Sequence, residues 1–138
     1  MTASLLRVSP REQMPSVIDE DHLRRMTLGD RNLEQEVLAI FARQTVLILK
    51  RMASMEPAYA AAAAHTLKGS ARGVGAWRVA QAAERVEQAA GEGRDARLQA
   101  AIAELEAAGV EVRAAIEARL QGGDAAALEL DRATIDPI

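Results

Sequence analysis

The spacing of apolar residues constrains the fold of this chain most tightly. Leu98, Ile102, Leu105, Gly109, Val112, Ile116 and Leu120 follow one another at intervals of three and four, the period that lays one stripe along a helix and that an alternating strand cannot use. A second series, Leu33, Val37, Phe41, Thr45, Ile48 and Met52, has the same period. Leu38, Ile40, Leu47 and Leu49 widen its face, so this helix should meet more than one neighbour. Aromatic residues make up only 2% of the 138 residues, and alanine is abundant within the 49% that are hydrophobic. Strand-favouring side chains are scarce and helix-favouring ones plentiful. The chain should therefore fold, and fold as all-α.

Glycine and proline punctuate the pattern. A short helix is expected from about Asp19 to Met26, with Asp19, Glu20 and Asp21 suited to its positive N-terminal end. Leu28-Gly29-Asp30 breaks the chain, and a second helix runs from about Arg31 to Ala53. Pro57, tolerated in a first turn, opens a third that Gly73 and Gly75 end near Val74. A fourth spans about Ala76 to Ala90 and stops at Gly91-Glu92-Gly93, and a fifth spans about Asp95 to Gln121. Residues 1–16, with Pro10 and Pro15 and no clear period, read as a flexible N-terminal extension; residues 17–121 form the helical domain. Gly122-Gly123 closes the last helix, and 122–138 is a C-terminal tail, flexible unless Leu128 and Leu130 dock on the bundle. Long amphipathic helices joined by short turns pack antiparallel. The expected architecture is an up-and-down four-helix bundle with one short additional N-terminal helix.

Several function classes drop out. Net charge is −3 and no basic stripe with interleaved aromatics is present, so nucleic acid is not the expected partner. Without cysteine there is no disulfide or thiol chemistry. The first residues, which include Arg11 and Glu12, do not resemble a signal peptide. The Ala-rich run Ala58 to Ala64 is far shorter than the roughly 20 residues a bilayer requires. A soluble, cytoplasmic, monomeric protein is expected.

Two histidines carry the available chemistry. His22, among acids near the first helix, reads as a surface or packing residue. His65 can be placed by phase. At about 100° per residue, Ala60, Ala63, Leu67, Ala71 and Val74 form a stripe centred on Leu67, and His65 lies about 160–200° away, facing out. Lys68, Gly69 and Arg72 follow at three, four and seven residues and share its face. Glycine inside a helix costs about 1 kcal/mol relative to alanine, and this chain uses alanine freely. Gly69 beside an outward imidazole clears space for a close approach. If the third and fourth helices form a hairpin about Gly75-Ala76, His65 is level with Glu87, each about eleven residues from Ala76. A carboxylate there could accept from Nδ1–H and leave the Nε2 lone pair free. A solvated glutamate on an exposed helix is the other reading of that position. One histidine with a lysine and a glycine offers too few ligands for a metal site.

The segment His65-Thr66-Leu67-Lys68-Gly69-Ser70-Ala71, followed by Gly75-Ala76, resembles the signature of histidine-containing phosphotransfer (HPt) domains of bacterial phosphorelays. The resemblance implies that His65 is phosphorylated, that Lys68 steadies the phosphoryl oxygens, that Gly69 gives a partner access, and that Glu87 orients the histidine. Arg72 and Gly73 depart from the small or amide residues the family shows there, and Arg72 adds a charge able to grip phosphate or an acidic partner surface. By the same resemblance the partners are receiver domains of response regulators and hybrid histidine kinases. The receiver supplies the phosphorylated aspartate and Mg²⁺; this chain carries no cofactor, lacks a Gly-rich phosphate loop, and should be a phosphoryl carrier without autokinase activity. Flanking apolar residues, Leu23, Met26 and Leu38, are candidates for docking. The alternative is a docking-only bundle of the same fold without phosphotransfer, against which His65, Lys68 and Gly69 together argue.

Overall fold

A computed structural model describes residues 16–92 and 95–135, with side chains through Gly122. Apart from Ser16, the expected N-terminal extension lies outside the described residues, as do Gly93 and the last three residues. Five helices follow in order: α1 Glu20–Met26, α2 Arg31–Met52, α3 Pro57–Val74, α4 Trp77–Glu92 and α5 Asp95–Ile135. Among the described residues there is no strand. Helices α2 to α5 pack in a closed cycle, each against the two beside it, and α1 lies against α3.

Local chemistry sets the ends. Asp19 caps α1 by accepting from the His22 amide at 3.1 Å, and Asp30 caps α2 by accepting from Leu33 at 3.1 Å. Pro57 opens α3. The end of α3 is Gly75 at φ +80°, and the Ala76 amide donates to the Ala71 carbonyl at 2.8 Å, the glycine-terminated arrangement that satisfies a helix's last carbonyls. Gly73 does not end α3; it stays within the helix. Gly91 likewise lies inside α4.

The largest departure is at the C-terminus. Gly122-Gly123 does not close α5, and the backbone stays helical to Ile135 where a flexible tail was expected from 122. Glycine lowers helix propensity without forbidding helix. The residues that follow, Ala125-Ala126-Ala127-Leu128-Glu129-Leu130, are among the best helix formers, and no proline intervenes until Pro137.

The core divides by side-chain size. Ala60, Ala64 and Ala71 of α3 and Ala80, Ala82, Ala83 and Ala89 of α4 are all buried, so small side chains line the core that these two helices contribute. Phe41, Leu38, Met52, Leu105 and Ile116 fill the space contributed by α2 and α5. The face of α2 is narrower than its sequence suggests. Leu38 turns fully inward, Leu49 is half-buried, and Ile40 and Leu47 face water. Glu34 of α2, nearly buried, meets Arg119 Nη2 at 2.5 Å, and the same nitrogen reaches Glu20 of α1 at 3.1 Å. One guanidinium thus ties α1, α2 and α5.

Candidate functional site

His65 sits midway along α3. With Leu67 at 0% exposure marking the core face, a residue about 160–200° around the helix must point to water, and the His65 side chain is 71% exposed. The hairpin register puts Glu87 of α4 beside it: His65 Nδ1 lies 3.1 Å from Glu87 Oε2. A carboxylate only accepts, so Nδ1 carries the proton, and in the neutral ring Nε2 keeps its lone pair.

Lys68 lies one turn further along, and its ammonium reaches the other oxygen of the same carboxylate, Nζ to Oε1 2.5 Å. By distance this is a close ion pair. Oε1 has no other polar partner. The Lys68 side chain is only 14% exposed. Its resting partner is therefore Glu87, and the carboxylate bridges the imidazole and the ammonium. Burial pushes the Glu87 carboxyl up, but the contacts with Lys68 and then His65 outweigh it and hold the group below the usual carboxylate range.

Gly69 is exposed, and a Cβ built on it would meet nothing within 4 Å. Packing therefore does not require glycine there, and the bare backbone faces out. Gly73, one turn on, is equally open. Arg72 is exposed, and no acidic partner reaches its guanidinium among the described residues. His65, Gly69, Arg72 and Gly73 thus form an outward lane running along α3 to its C-terminal end.

Of the expected docking residues, only Met26 is available, at 59% exposure. Leu23 and Leu38 are both at 0% and cannot meet a partner. Leu23 is the one buried residue of α1 and attaches that helix to the bundle. Leu38 shares the inward face of α2 with Phe41. Sequence reasoning set Ile40 and Leu47 on a widened packing face. Thr45 and Leu49 face Gly109 of α5, but Ile40 and Leu47 lie about 180–200° around the helix from buried Leu38, on the side of α2 turned away from the bundle. Ile40 is 56% exposed and Leu47 58%. His22 is also more engaged than its sequence suggests: its Nε2–H donates to the Arg72 carbonyl at 2.8 Å.

Among the described residues no group of three or more His, Asp or Glu side chains is placed to hold a metal ion. No described helix is long and apolar enough to cross a membrane.

The described bundle turns one carboxylate-held imidazole outward, beside bare helix backbone, where it is accessible from solution. The family model of the Hpt domain matches residues 31–122, and the chain belongs to that family. The match begins at α2 and takes in His65, Lys68, Gly69 and Glu87. A crystal structure of a rice protein, provisionally described as a histidine-containing phosphotransfer protein, shares the fold with a TM-score of 0.69 at 20% identity, covering 77% of this chain and 81% of that one. No curated protein matched the sequence. Family membership supports a histidine phosphotransfer role in a phosphorelay; domains of this family are phosphocarriers that interact with receiver domains.

Proposed function

We propose that the chain accepts a phosphoryl group on Nε2 of His65 from the aspartyl phosphate of one receiver domain and passes it to the aspartate of another. The observation that carries this reading is the geometry of His65: the ring projects into water with its Nδ1–H held by Glu87. In the forward step the Nε2 lone pair attacks phosphorus. The N–P bond forms, the O–P bond breaks, and the electron pair leaves on the aspartate carboxylate. Nδ1–H stays on Glu87, and the positive charge the ring gains falls beside a carboxylate. Catalysis of such a transfer is mostly positioning and electrostatics. The receiver supplies Mg²⁺ and the remaining phosphoryl contacts.

Lys68 acts after the attack. An incoming phosphoryl group competes with Glu87 for its ammonium, which lies one turn from the ring. Arg72 adds a second positive charge on the same lane. The docking surface consists of the lane itself and exposed Met26 of α1. The chain acts as a cytoplasmic monomer and does not phosphorylate itself.

The test is transfer of labelled phosphoryl from phosphorylated receivers. Wild-type protein takes up acid-labile label, and His65→Gln takes up none while its helicity is unchanged. Labelling of His65→Gln on the wild-type timescale would overturn the assignment.

A further inference from the structure

We infer that His22 is a positioning residue for receiver docking: with Asp19 and Trp77 it pins α1 to the end of α3, next to the lane that leads to His65. This rests on the phosphotransfer reading above. Helix α1 has seven residues, far below the length at which a helix holds itself. Its placement therefore depends on tertiary contacts: buried Leu23, the Glu20–Arg119 ion pair, and a polar node where α1 meets the end of α3. His22 Nε2–H donates to the Arg72 carbonyl at 2.8 Å, across fifty residues of sequence. The His22 ring rests against the indole of Trp77, centroids 4.9 Å apart and tilted by 60°. The indole N–H donates to Asp19 Oδ2 at 2.9 Å, while Asp19 Oδ1 accepts from the His22 amide at 3.1 Å. The Asp19 amide donates to the Gly75 carbonyl at 2.9 Å. Gly75 lets this happen: a Cβ there would stand 3.0 Å from both the Cβ and the carbonyl oxygen of Asp19.

The node lies where a partner would cover it. Arg72 is seven residues from His65, about 10 Å along the helix axis. A standard protein interface buries about 800 Å² per partner, a patch of roughly 16 Å radius. A receiver centred on His65 therefore reaches Arg72 and the α1 segment pinned above it, including exposed Met26. Neither His22 nor Trp77 hydrogen-bonds His65, Lys68 or Glu87. The pin acts on how well the receiver binds, and the chemical step is left to His65 and its partners.

The experiment compares wild type, His22→Ala and His22→Gln in single-turnover phosphotransfer at a series of phosphorylated-receiver concentrations. Trp77, the only tryptophan of the chain, serves as a fluorescence reporter. His22→Ala is expected to raise the half-saturating receiver concentration about tenfold, the scale of one lost hydrogen bond, with the saturated rate within twofold of wild type. Its Trp77 emission should change in intensity as the imidazole leaves the indole. His22→Gln, whose amide can donate to the Arg72 carbonyl, should recover most of the affinity. Unchanged half-saturation in His22→Ala, a fall in the saturated rate alone, or a loss of bundle helicity each overturns the inference while leaving the phosphotransfer reading standing. Failure of wild type to take label from any receiver ends both.

Discussion

Replacing Gly69 with alanine should make the protein more stable and less active, and the two effects can be sized separately. A Cβ at Gly69 meets nothing within 4 Å, so the methyl group displaces no atom of the bundle. The backbone is already helical and the position exposed. What remains is helix propensity, which favours alanine by about 1 kcal/mol. For a domain of this size that corresponds to a rise in Tm of about 4 °C. Transfer moves the other way. Gly69 lies one turn, about 6 Å along the axis, from His65, inside the footprint of any receiver that brings phosphorus within about 3–3.5 Å of Nε2. A displacement of about 1 Å from that geometry can cost a hundredfold in rate, so Gly69→Ala should transfer roughly ten to a hundred times more slowly. Thermal melting by circular dichroism and single-turnover label transfer read the two effects on the same preparation. Gly73→Ala is the control: it is equally open in space but about 12 Å from His65, so it should gain stability with a smaller loss of rate. A Gly69→Ala protein with raised Tm and wild-type transfer would refute the idea that bare backbone is needed for docking. A lowered Tm would refute the reading of the site as open.

The other expectations concern Glu87 and Gly75. Glu87→Gln removes a charged acceptor from Nδ1–H; such hydrogen bonds are worth about 1.5–3 kcal/mol, so transfer should slow about ten- to a hundredfold, and a single-turnover rate within twofold of wild type would mean that Glu87 does not orient the ring. Because contacts with Lys68 and His65 hold the folded Glu87 carboxyl below its ordinary value of 4.5, despite the opposing effect of burial, its contribution to stability is complete above that pH and is lost as pH falls through the depressed value. Urea midpoints of wild type and Glu87→Gln should therefore converge below about pH 4.5, and a constant gap from pH 7 to pH 3 would contradict this. Gly75→Ala forces a side chain into φ +80° and against the backbone of Asp19; the left-handed conformation alone costs about 1–2 kcal/mol, and an unchanged melting temperature would show that the α3 end relaxes freely.

Much of this protein is written in local periodicity. The helices, their antiparallel order and the outward direction of His65 all follow from apolar spacing, because a helix repeats every 3.6 residues whatever surrounds it. The pairing of His65 with Glu87 was legible for a related reason: a tight turn at Gly75-Ala76 fixes which residues of α3 and α4 stand level. Helix ends were less legible. Gly75 ends α3 because φ +80° and a contact with Asp19 demand glycine there, whereas Gly73, Gly91 and Gly122 sit inside helices. Composition alone does not separate these cases.

Tertiary structure decided what depends on the neighbours of each helix. Leu38 and Ile40 are equally apolar, yet α3 and α5 flank α2 so that the first is enclosed and the second left in water. Leu23 looked like a docking residue until α1 was laid on α3 and used it as the attachment. Lys68 appears in the sequence as a cation awaiting phosphate; in the fold its resting partner is the carboxylate that also holds His65. The bond from His22 to the Arg72 carbonyl joins residues fifty positions apart. The sequence by itself determined which way each helix turns its apolar stripe, since that is a matter of phase along one chain. Which exposed or buried partner each remaining side chain finds is set by distances between chain segments, and those exist only once the bundle has closed.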